Sequence, residues 1–95
     1  MSKIILKGCI MVPQAELAVV MDELDNHIRL TREEAGCLAF EVTQSKSDPY
    51  RFDVYEEFTN QAAFDSHQRR VKSSRWGKVT VNVDRRYTVT VARDS

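Results

Sequence analysis

The sequence is poor in cysteine, and the spacing of its two cysteines excludes two common kinds of site. Cys9 and Cys37 lie far apart in a chain of 95 residues, with no C-x-x-C pattern and no nearby histidine. A structural zinc site or a disulfide framework needs closer or more numerous cysteines. We therefore predict two inert thiols in a protein of the reducing cytoplasm, and no metal site.

The sequence also lacks an excess of either charge and a long apolar run. Its fourteen basic and fourteen acidic side chains cancel, so no global field attracts nucleic acid or an anionic membrane. The apolar stretch near the N-terminus is interrupted at Lys7 and Gly8, which favours a strand over a signal peptide or a membrane span. We interpret the basic residues 67–75 (HQRRVKSSR) as a solvated helix end. We thus predict no nucleic-acid partner and no membrane partner.

Short motifs of several large enzyme classes are missing as well. The sequence contains no P-loop, no dinucleotide-binding glycine pattern, no G-x-S-x-G and no H-E-x-x-H. The segment IMVPQAEL, which follows the first predicted strand, has no glycine for the phosphate cradle of an acylphosphatase. The function must therefore be inferred from the arrangement of the predicted elements.

Hydrophobic periodicity predicts four strands. Apolar residues alternate with polar ones in each of these segments, as in a strand with one buried face. The segments cover about residues 3–12, 38–43, 52–58 and 87–92. Residues 79–83 (VTVNV) also favour extended structure, but only the last segment is taken as the fourth strand of the sheet.

Two segments have the spacing of amphipathic helices, with apolar residues three or four positions apart. The first runs from Gln14 and is predicted to end at Gly36. The second begins near Asn60, which is a good helix cap, and carries Phe64 and His67 on its apolar face. The complete element order is therefore β-α-β-β-α-β.

This order is that of a ferredoxin-like α+β fold, in which two helices cover one face of a four-stranded antiparallel sheet. A chain of this length forms only one core, so residues 1–95 are interpreted as a single domain. Ile5, Cys9, Met11 and Tyr55 share the parity of the uncovered face and make it partly apolar. We expect a second copy of the sheet to cover this face in a homodimer.

The segment GCLAFEV…DPYRFDVYEEFTNQAAFDSH, within residues 36–67, resembles the antibiotic biosynthesis monooxygenase (ABM) domains, which include small quinol monooxygenases. The resemblance implies a dimeric α/β barrel with a pocket between the sheet and the helices of each subunit. It also implies a monooxygenase that uses no cofactor, neither flavin, metal nor haem. Such an enzyme oxygenates a small electron-rich aromatic, such as a quinol or an anthrone, with O₂. Haem oxygenation is less favoured, because the first strand lacks the asparagine of the haem-degrading relatives.

His67 is the candidate catalytic base, because it matches the histidine of the AAF-x-x-H helix in the family. An unperturbed imidazole has a pKa of about 6.5 and accepts a phenolic proton at neutral pH. The alternative interpretation is that His67 completes the packing of the helix. Tyr55 is the second candidate catalytic residue, as a hydrogen-bond donor to a substrate oxygen.

Four further residues are candidate substrate-binding groups, namely Arg51, Glu57, Phe64 and Trp76. Glu57 is expected either to orient His67 or to form an ion pair with an arginine, although a carboxylate near a strand end is more often a surface group. Trp76, predicted in a short helix or loop, either stacks on a flat substrate or closes the edge of the core. Arg51, like Arg85 and Arg86, is expected either to stabilise an anionic intermediate or a bound carboxylate, or to form an intersubunit salt bridge. His27 is not expected to have a chemical role.

The fold alone does not decide the activity. A pocket base beside a tyrosine would also move protons in a keto–enol isomerisation. A small-molecule binding or isomerising module on the same dimeric fold is therefore the alternative to a monooxygenase.

Overall fold

The computed structural model describes residues 2–93 of the chain. These residues form four strands and three α-helices, and a short 3-10 turn at Gln14–Glu16 precedes the first helix. In chain order the elements are β1 (Ser2–Met11), α1 (Leu17–Arg32), β2 (Cys37–Gln44), β3 (Arg51–Phe58), α2 (Gln61–Ser73), α3 (Arg75–Val79) and β4 (Asp84–Arg93). The predicted β-α-β-β-α-β order is confirmed, and α3 is the short helix that contains Trp76.

The four strands form one open antiparallel sheet in the order β2-β3-β1-β4. This topology confirms the ferredoxin-like fold. The sheet of the single chain does not close into a barrel, because β2 and β4 lie at its two edges. No helix within residues 2–93 is long and apolar enough to cross a membrane.

The core lies between the helices and one face of the sheet. The alternate residues Phe52, Val54 and Phe58 of β3 are buried there, because successive side chains of a strand point to opposite faces. Helices α1 and α2 contribute Val20 and Phe64 to the same cluster. The alternation has one further consequence for β3, since Glu56 shares its parity with Phe52, Val54 and Phe58 and is therefore buried on the helix side.

The extended structure expected for residues 79–83 is wrong. Helix α3 includes Val79, and the amide of Thr80 closes its last turn by donating to the carbonyl of Trp76 at 3.0 Å. Thr80 is fully buried, and its hydroxyl donates to the same carbonyl at 2.6 Å. The burial of Trp76 and Thr80 against the core outweighs the strand propensity of these residues, which depends strongly on context. Strand β4 consequently begins at Asp84.

The sheet face away from the helices is more charged than its sequence parity suggested. The ion pairs Lys3–Glu57 (3.4 Å) and Arg51–Asp53 (2.9 Å) lie on this outer face. The most exposed valines of the sheet lie instead on β4, where Val89 and Val91 are 50% and 52% exposed. Their partners on β1 are Leu6 and Ile4, which are buried, so both valines are on the helix side of the sheet, beyond the cover of the helices.

Gly36 connects α1 to β2 with a φ of +88°, a conformation that L side chains rarely adopt. A Cβ atom there would lie 2.6 Å from the Cβ of Ala63 and 2.9 Å from the Oγ1 of Thr59. We expect Gly36→Ala to lower the free energy of unfolding by about 1–3 kcal/mol, because it combines backbone strain with this close contact. Urea denaturation measures the change, and Ala35→Ser, at an exposed neighbouring position, is the control. Equal stabilities of Gly36→Ala and the wild type would contradict this backbone geometry.

Candidate active site

A cavity of about 190 Å³ lies between the helices and the sheet. Five different elements supply its polar and aromatic walls: His27 from α1, Glu56 from β3, His67 from α2, Trp76 from α3 and Arg85 from β4. The cavity therefore exists only in the folded chain, since these residues are distant in sequence.

His67 reaches the cavity because α2 begins at a well-formed cap. The side chain of Asn60 accepts a hydrogen bond from the amide of Ala63 at 2.8 Å, which fixes the start of the helix. Phe64 and His67 follow on the face that packs against the sheet, and His67 is only 3% exposed. The predicted placement of His67 on the buried face of this helix is confirmed.

A carboxylate behind the imidazole orients His67. The Oε2 atom of Glu34 lies 2.9 Å from the Nδ1 atom of His67 and accepts a hydrogen bond from the Nε of Arg70 at 2.7 Å. Arg70 also donates to the Oγ1 of Thr31 at 3.0 Å, which holds the guanidinium in place. The carboxylate is an acceptor, so His67 is best satisfied as the tautomer with its proton on Nδ1. The lone pair of Nε2 is then available on the other side of the ring.

The Nε2 side of His67 faces Glu56. The distance from Nε2 to the Oε1 of Glu56 is 3.7 Å, which is too long for a direct hydrogen bond. Burial lowers the pKa of His67 below its ordinary value, although the hydrogen bond that Nδ1 donates to Glu34 acts in the opposite direction. The imidazole is therefore neutral at physiological pH and is able to accept a proton.

Glu56 is the most unusual carboxyl group of the site. It is 5% exposed, and its Oε1 has no hydrogen-bond partner within residues 2–93. Burial, followed by the charge of Glu34, raises its pKa from 4.5 to about 7. Glu56 thus has substantial populations of both protonation states at neutral pH, as suits a group that exchanges protons with a ligand.

His27 and Trp76 form an aromatic wall of the cavity. Their rings are stacked with centroids 4.5 Å apart and an interplanar angle of 4°. Burial, assisted by repulsion from the protonated form of His67, lowers the pKa of His27 to about 3, so this ring is neutral. The Nδ1 of His27 has no hydrogen-bond partner among the described residues. Two of the residues that line the cavity, His27 and Glu56, therefore each carry a buried polar atom without a partner within residues 2–93.

The β4 wall of the cavity consists of Arg85 and Tyr87. The guanidinium of Arg85 donates to the carbonyl and to the Oγ1 of Thr80, at 3.2 and 2.8 Å. Tyr87 is 37% exposed at the sheet edge, and Glu56 and Arg85 lie close enough to its hydroxyl group to influence it. Burial and the charge of Glu56 raise the pKa of Tyr87 to about 12, so its hydroxyl remains a donor at neutral pH.

The structure brings together two of the six predicted site residues, His67 and Trp76. Phe64 is buried in the core, where its ring packs against Phe58 with centroids 5.7 Å apart, and it does not line the cavity. Trp76 lines the cavity, but part of its ring surface is already occupied by His27.

The other three predicted residues are on the outer face of the sheet. Tyr55 lies beside Lys7, Glu57 pairs with Lys3, and Arg51 is exposed and pairs with Asp53. The expected orientation of His67 by Glu57 is therefore wrong. The physical reason is the two-residue period of β3, which places residues 51, 55 and 57 opposite to the helix side.

Sequence reasoning missed Glu34, Glu56 and His27. A signal for Glu56 was present, because it alternates with the apolar residues of β3 and so had to be buried. His27 also lies on the apolar stripe of α1, seven residues after Val20. Glu34 carried no such signal, since it lies between the end of α1 and Gly36, outside any helix or strand. Its contact with His67 exists only in the folded chain.

A family model described as antibiotic biosynthesis monooxygenase matches residues 4–78. The chain belongs to this family. The match confirms the resemblance found in residues 36–67 and extends it from β1 through most of α3, so it includes every residue of the cavity except those of β4. No curated protein sequence matches the chain.

Solved structures have the same fold as this ABM-family chain. One described as an antibiotic biosynthesis monooxygenase is 21% identical, with a TM-score of 0.69 over 100% of this chain and 99% of the other. A protein from Pseudomonas aeruginosa is 21% identical, with a TM-score of 0.74 over 99% and 94%. A conserved protein from Bacteroides thetaiotaomicron, described as a possible oxidoreductase, is 15% identical, with a TM-score of 0.74 over 95% and 97%. At these identities the similarity establishes the fold alone.

Proposed function

We propose that this ABM-family protein is a cofactor-independent monooxygenase that acts on a small hydroxylated aromatic compound. One observation carries the proposal: His67, Glu56 and His27 line one cavity, and the last two each have a buried polar atom without a partner in residues 2–93. Buried polar atoms nearly always have hydrogen-bond partners. The hydroxyl groups of a bound quinol would supply them.

The size of the cavity supports a quinol over an anthrone. An apolar cavity of about 150 Å³ is large enough to bind benzene. The cavity here measures about 190 Å³, which leaves room for one aromatic ring with small substituents. A three-ring anthrone would extend beyond it, into the neighbouring hollow lined by Lys72 and Val81.

In the proposed reaction, a substrate hydroxyl loses its proton and the electron-rich anion transfers one electron to O₂. The two radicals recombine to form a C–O bond, and the resulting hydroperoxide loses water. One oxygen atom of O₂ thus enters the product and the other leaves as water, while a quinol loses four electrons and becomes a hydroxyquinone.

His67 is the proposed base, because its Nε2 faces Glu56, another residue of the cavity wall, and Glu34 stabilises the imidazolium that forms. Glu56 is the proposed proton donor when the hydroperoxide loses water, since its pKa of about 7 allows both protonation states. Trp76 and Val71 supply apolar surface that excludes water from the anion. This proposal assigns no role in the cavity to Tyr55.

We also propose that the active protein is a homodimer. Val89 and Val91 form an exposed apolar row on β4, the strand that carries Arg85 and Tyr87. A second copy that covers this row would remove the apolar surface from water and also shield the open side of the cavity.

The alternative is an isomerising or binding module, and one observation favours it. Glu56 and His67 form a pair of neighbouring proton-transfer groups, which suits a keto–enol isomerisation as well as an oxygenation. Only the oxygenase consumes O₂.

Oxygen uptake by chelator-treated protein, with a series of one-ring and two-ring quinols, is the experiment that tests this proposal. We expect O₂ consumption with one-ring quinols above the autoxidation rate, a 1:1 ratio of O₂ consumed to product formed, and lower rates with anthrones. Sedimentation velocity on the same samples measures the oligomeric state. Binding of the quinols without O₂ uptake would contradict the oxygenase and favour the module.

A further inference from the structure

A second, more open hollow adjoins the cavity. We call it the outer hollow and the first cavity the inner cavity. The outer hollow has a volume of about 340 Å³ and shares Gln68, Val71 and Arg85 with the inner cavity. Lys72 lines only the outer hollow. The two hollows are therefore neighbouring compartments of one site, with Arg85 at their boundary.

The two compartments differ in charge. The inner cavity contains Glu56, and Glu34 lies just behind His67. The outer hollow is lined by two cationic side chains, Arg85 and Lys72, and by no carboxylate. In the inner cavity an anionic group would lie near the carboxyl group of Glu56 as well as Arg85, whereas in the outer hollow the charged lining residues are the two cations alone.

Arg85 is oriented by hydrogen bonds but has no carboxylate partner in the described part of the chain. Its two hydrogen bonds to Thr80 fix the guanidinium and leave further N–H donors on it. Within residues 2–93, neither Arg85 nor Lys72 forms a salt bridge. The neighbouring Arg86, in contrast, pairs with Asp84 at 3.0 Å.

We propose that the substrate is a hydroxylated aromatic compound with an anionic substituent, and that Arg85 and Lys72 bind this substituent in the outer hollow. A guanidinium binds a carboxylate or phosphate through two parallel hydrogen bonds, and the lysine adds a second positive charge. The hydroxylated ring then lies in the inner cavity beside Glu56 and His67. This inference names the substrate class of the site in the proposed function and rests on that proposal for the chemistry.

Binding without turnover tests the inference. Trp76 is the only tryptophan of the chain and lines the inner cavity, so its fluorescence reports ligand binding. The probes are 4-hydroxybenzoate, its neutral analogue 4-hydroxybenzamide, and 4-hydroxyphenyl phosphate, measured under nitrogen. We expect the preferred anion to bind at least about 10-fold more tightly than the amide, because hydrogen bonds to charged groups are strong. The tighter of the two anions identifies the substituent as a carboxylate or a phosphate.

Variants identify the side chains that cause the preference for the anion. Arg85→Gln should abolish the advantage of the anion, Lys72→Gln should reduce it, and Arg85→Lys should retain part of it. Lys78→Gln is the control, because Lys78 is an exposed cation of α3 that lines neither hollow. Equal affinities for the anions and the amide in the wild type, or a preference that survives Arg85→Gln, would overturn the inference.

The same measurements separate this inference from the proposed function. If the anions are preferred but no substrate consumes O₂, the anion subsite stands and the oxygenase proposal fails. If neutral quinols are oxygenated and acidic ones have no advantage in binding or in kcat/KM, the oxygenase stands and the subsite fails.

Discussion

His67→Gln is expected to reduce the rate of quinol-dependent O₂ consumption about 100- to 10,000-fold, the usual contribution of a general base. Glutamine keeps a polar side chain with an amide donor near Glu34, although this donor corresponds in position to Nε2 of the histidine rather than to Nδ1. It provides no group that accepts a proton from a phenol. We therefore expect the loss in kcat with little change in the affinity for the substrate.

The control for His67→Gln is Glu41→Gln, which changes an exposed carboxylate of β2 on the outer face of the sheet. Both variants should retain the circular dichroism spectrum of the wild type, and only His67→Gln should lose activity. An unchanged rate in His67→Gln would remove this residue from the mechanism. A loss of the spectrum would instead indicate a structural role, in agreement with the packing interpretation.

The role of Glu34 can be separated from that of His67 by combining the oxygen assay with an NMR titration. Glu34 raises the pKa of His67 against the effect of burial, so Glu34→Gln should lower the pKa of the imidazole, as measured by NMR titration of its ring protons. A positioning residue of this kind should lower kcat less than the loss of His67 itself. A residue with a purely structural role would leave the titration of His67 in place.

The fold was predictable because each strand and helix has its own hydrophobic period. The alternation of Phe52, Val54 and Phe58 and the stripe of α1 are two examples. Together with the other elements they predicted the β-α-β-β-α-β order, from which the topology follows. Residues 79–83 were not predictable from propensity, because the decisive term is the tertiary burial of Thr80 and Trp76. A short segment with weak local preference follows the packing around it.

The candidate site was predictable only in part, since its residues come from five elements. His67 was identified through the family helix, but its partners required knowledge of which strand face the helices cover. Once the even positions of β3 are assigned to the core, Glu56 replaces Glu57 as the carboxylate near the imidazole. The contact between Glu34 and His67 spans 33 positions in the chain and has no local pattern.

The polar atoms that make this cavity a candidate site also destabilise the fold. A buried polar atom without a partner costs about 1–3 kcal/mol, and more when the group is charged. Glu56 and His27 both have such an atom within the described chain. Apolar residues at both positions would avoid this cost, and the ligand of the proposed site would supply the missing partners.

Glu56→Gln is accordingly expected to make the protein more stable than the wild type at high pH, although it removes a group of the site. The folded-state pKa of Glu56 is raised from 4.5 to about 7, so the folded protein binds this proton more strongly than the unfolded chain. The corresponding stability is complete below pH 4.5 and is lost as the pH rises through 7. Glutamine does not titrate in this pH range, so its contribution to the free energy of unfolding stays constant.

The measurable quantity is the difference in unfolding free energy between Glu56→Gln and the wild type. It should shift in favour of the variant by up to about 3 kcal/mol between pH 4.5 and pH 8, which follows from the size of the pKa shift. His27 and His67 have lowered pKa values, so they act in the opposite sense to Glu56. Their contribution to the stability of the folded protein is lost as the pH falls below 6.5. Both histidines are present in both proteins, and their effect largely cancels in the difference. Glu41→Gln should show no such trend, and a pH-independent difference for Glu56→Gln would mean that Glu56 is not the buried, unpartnered acid on which the proposed site depends.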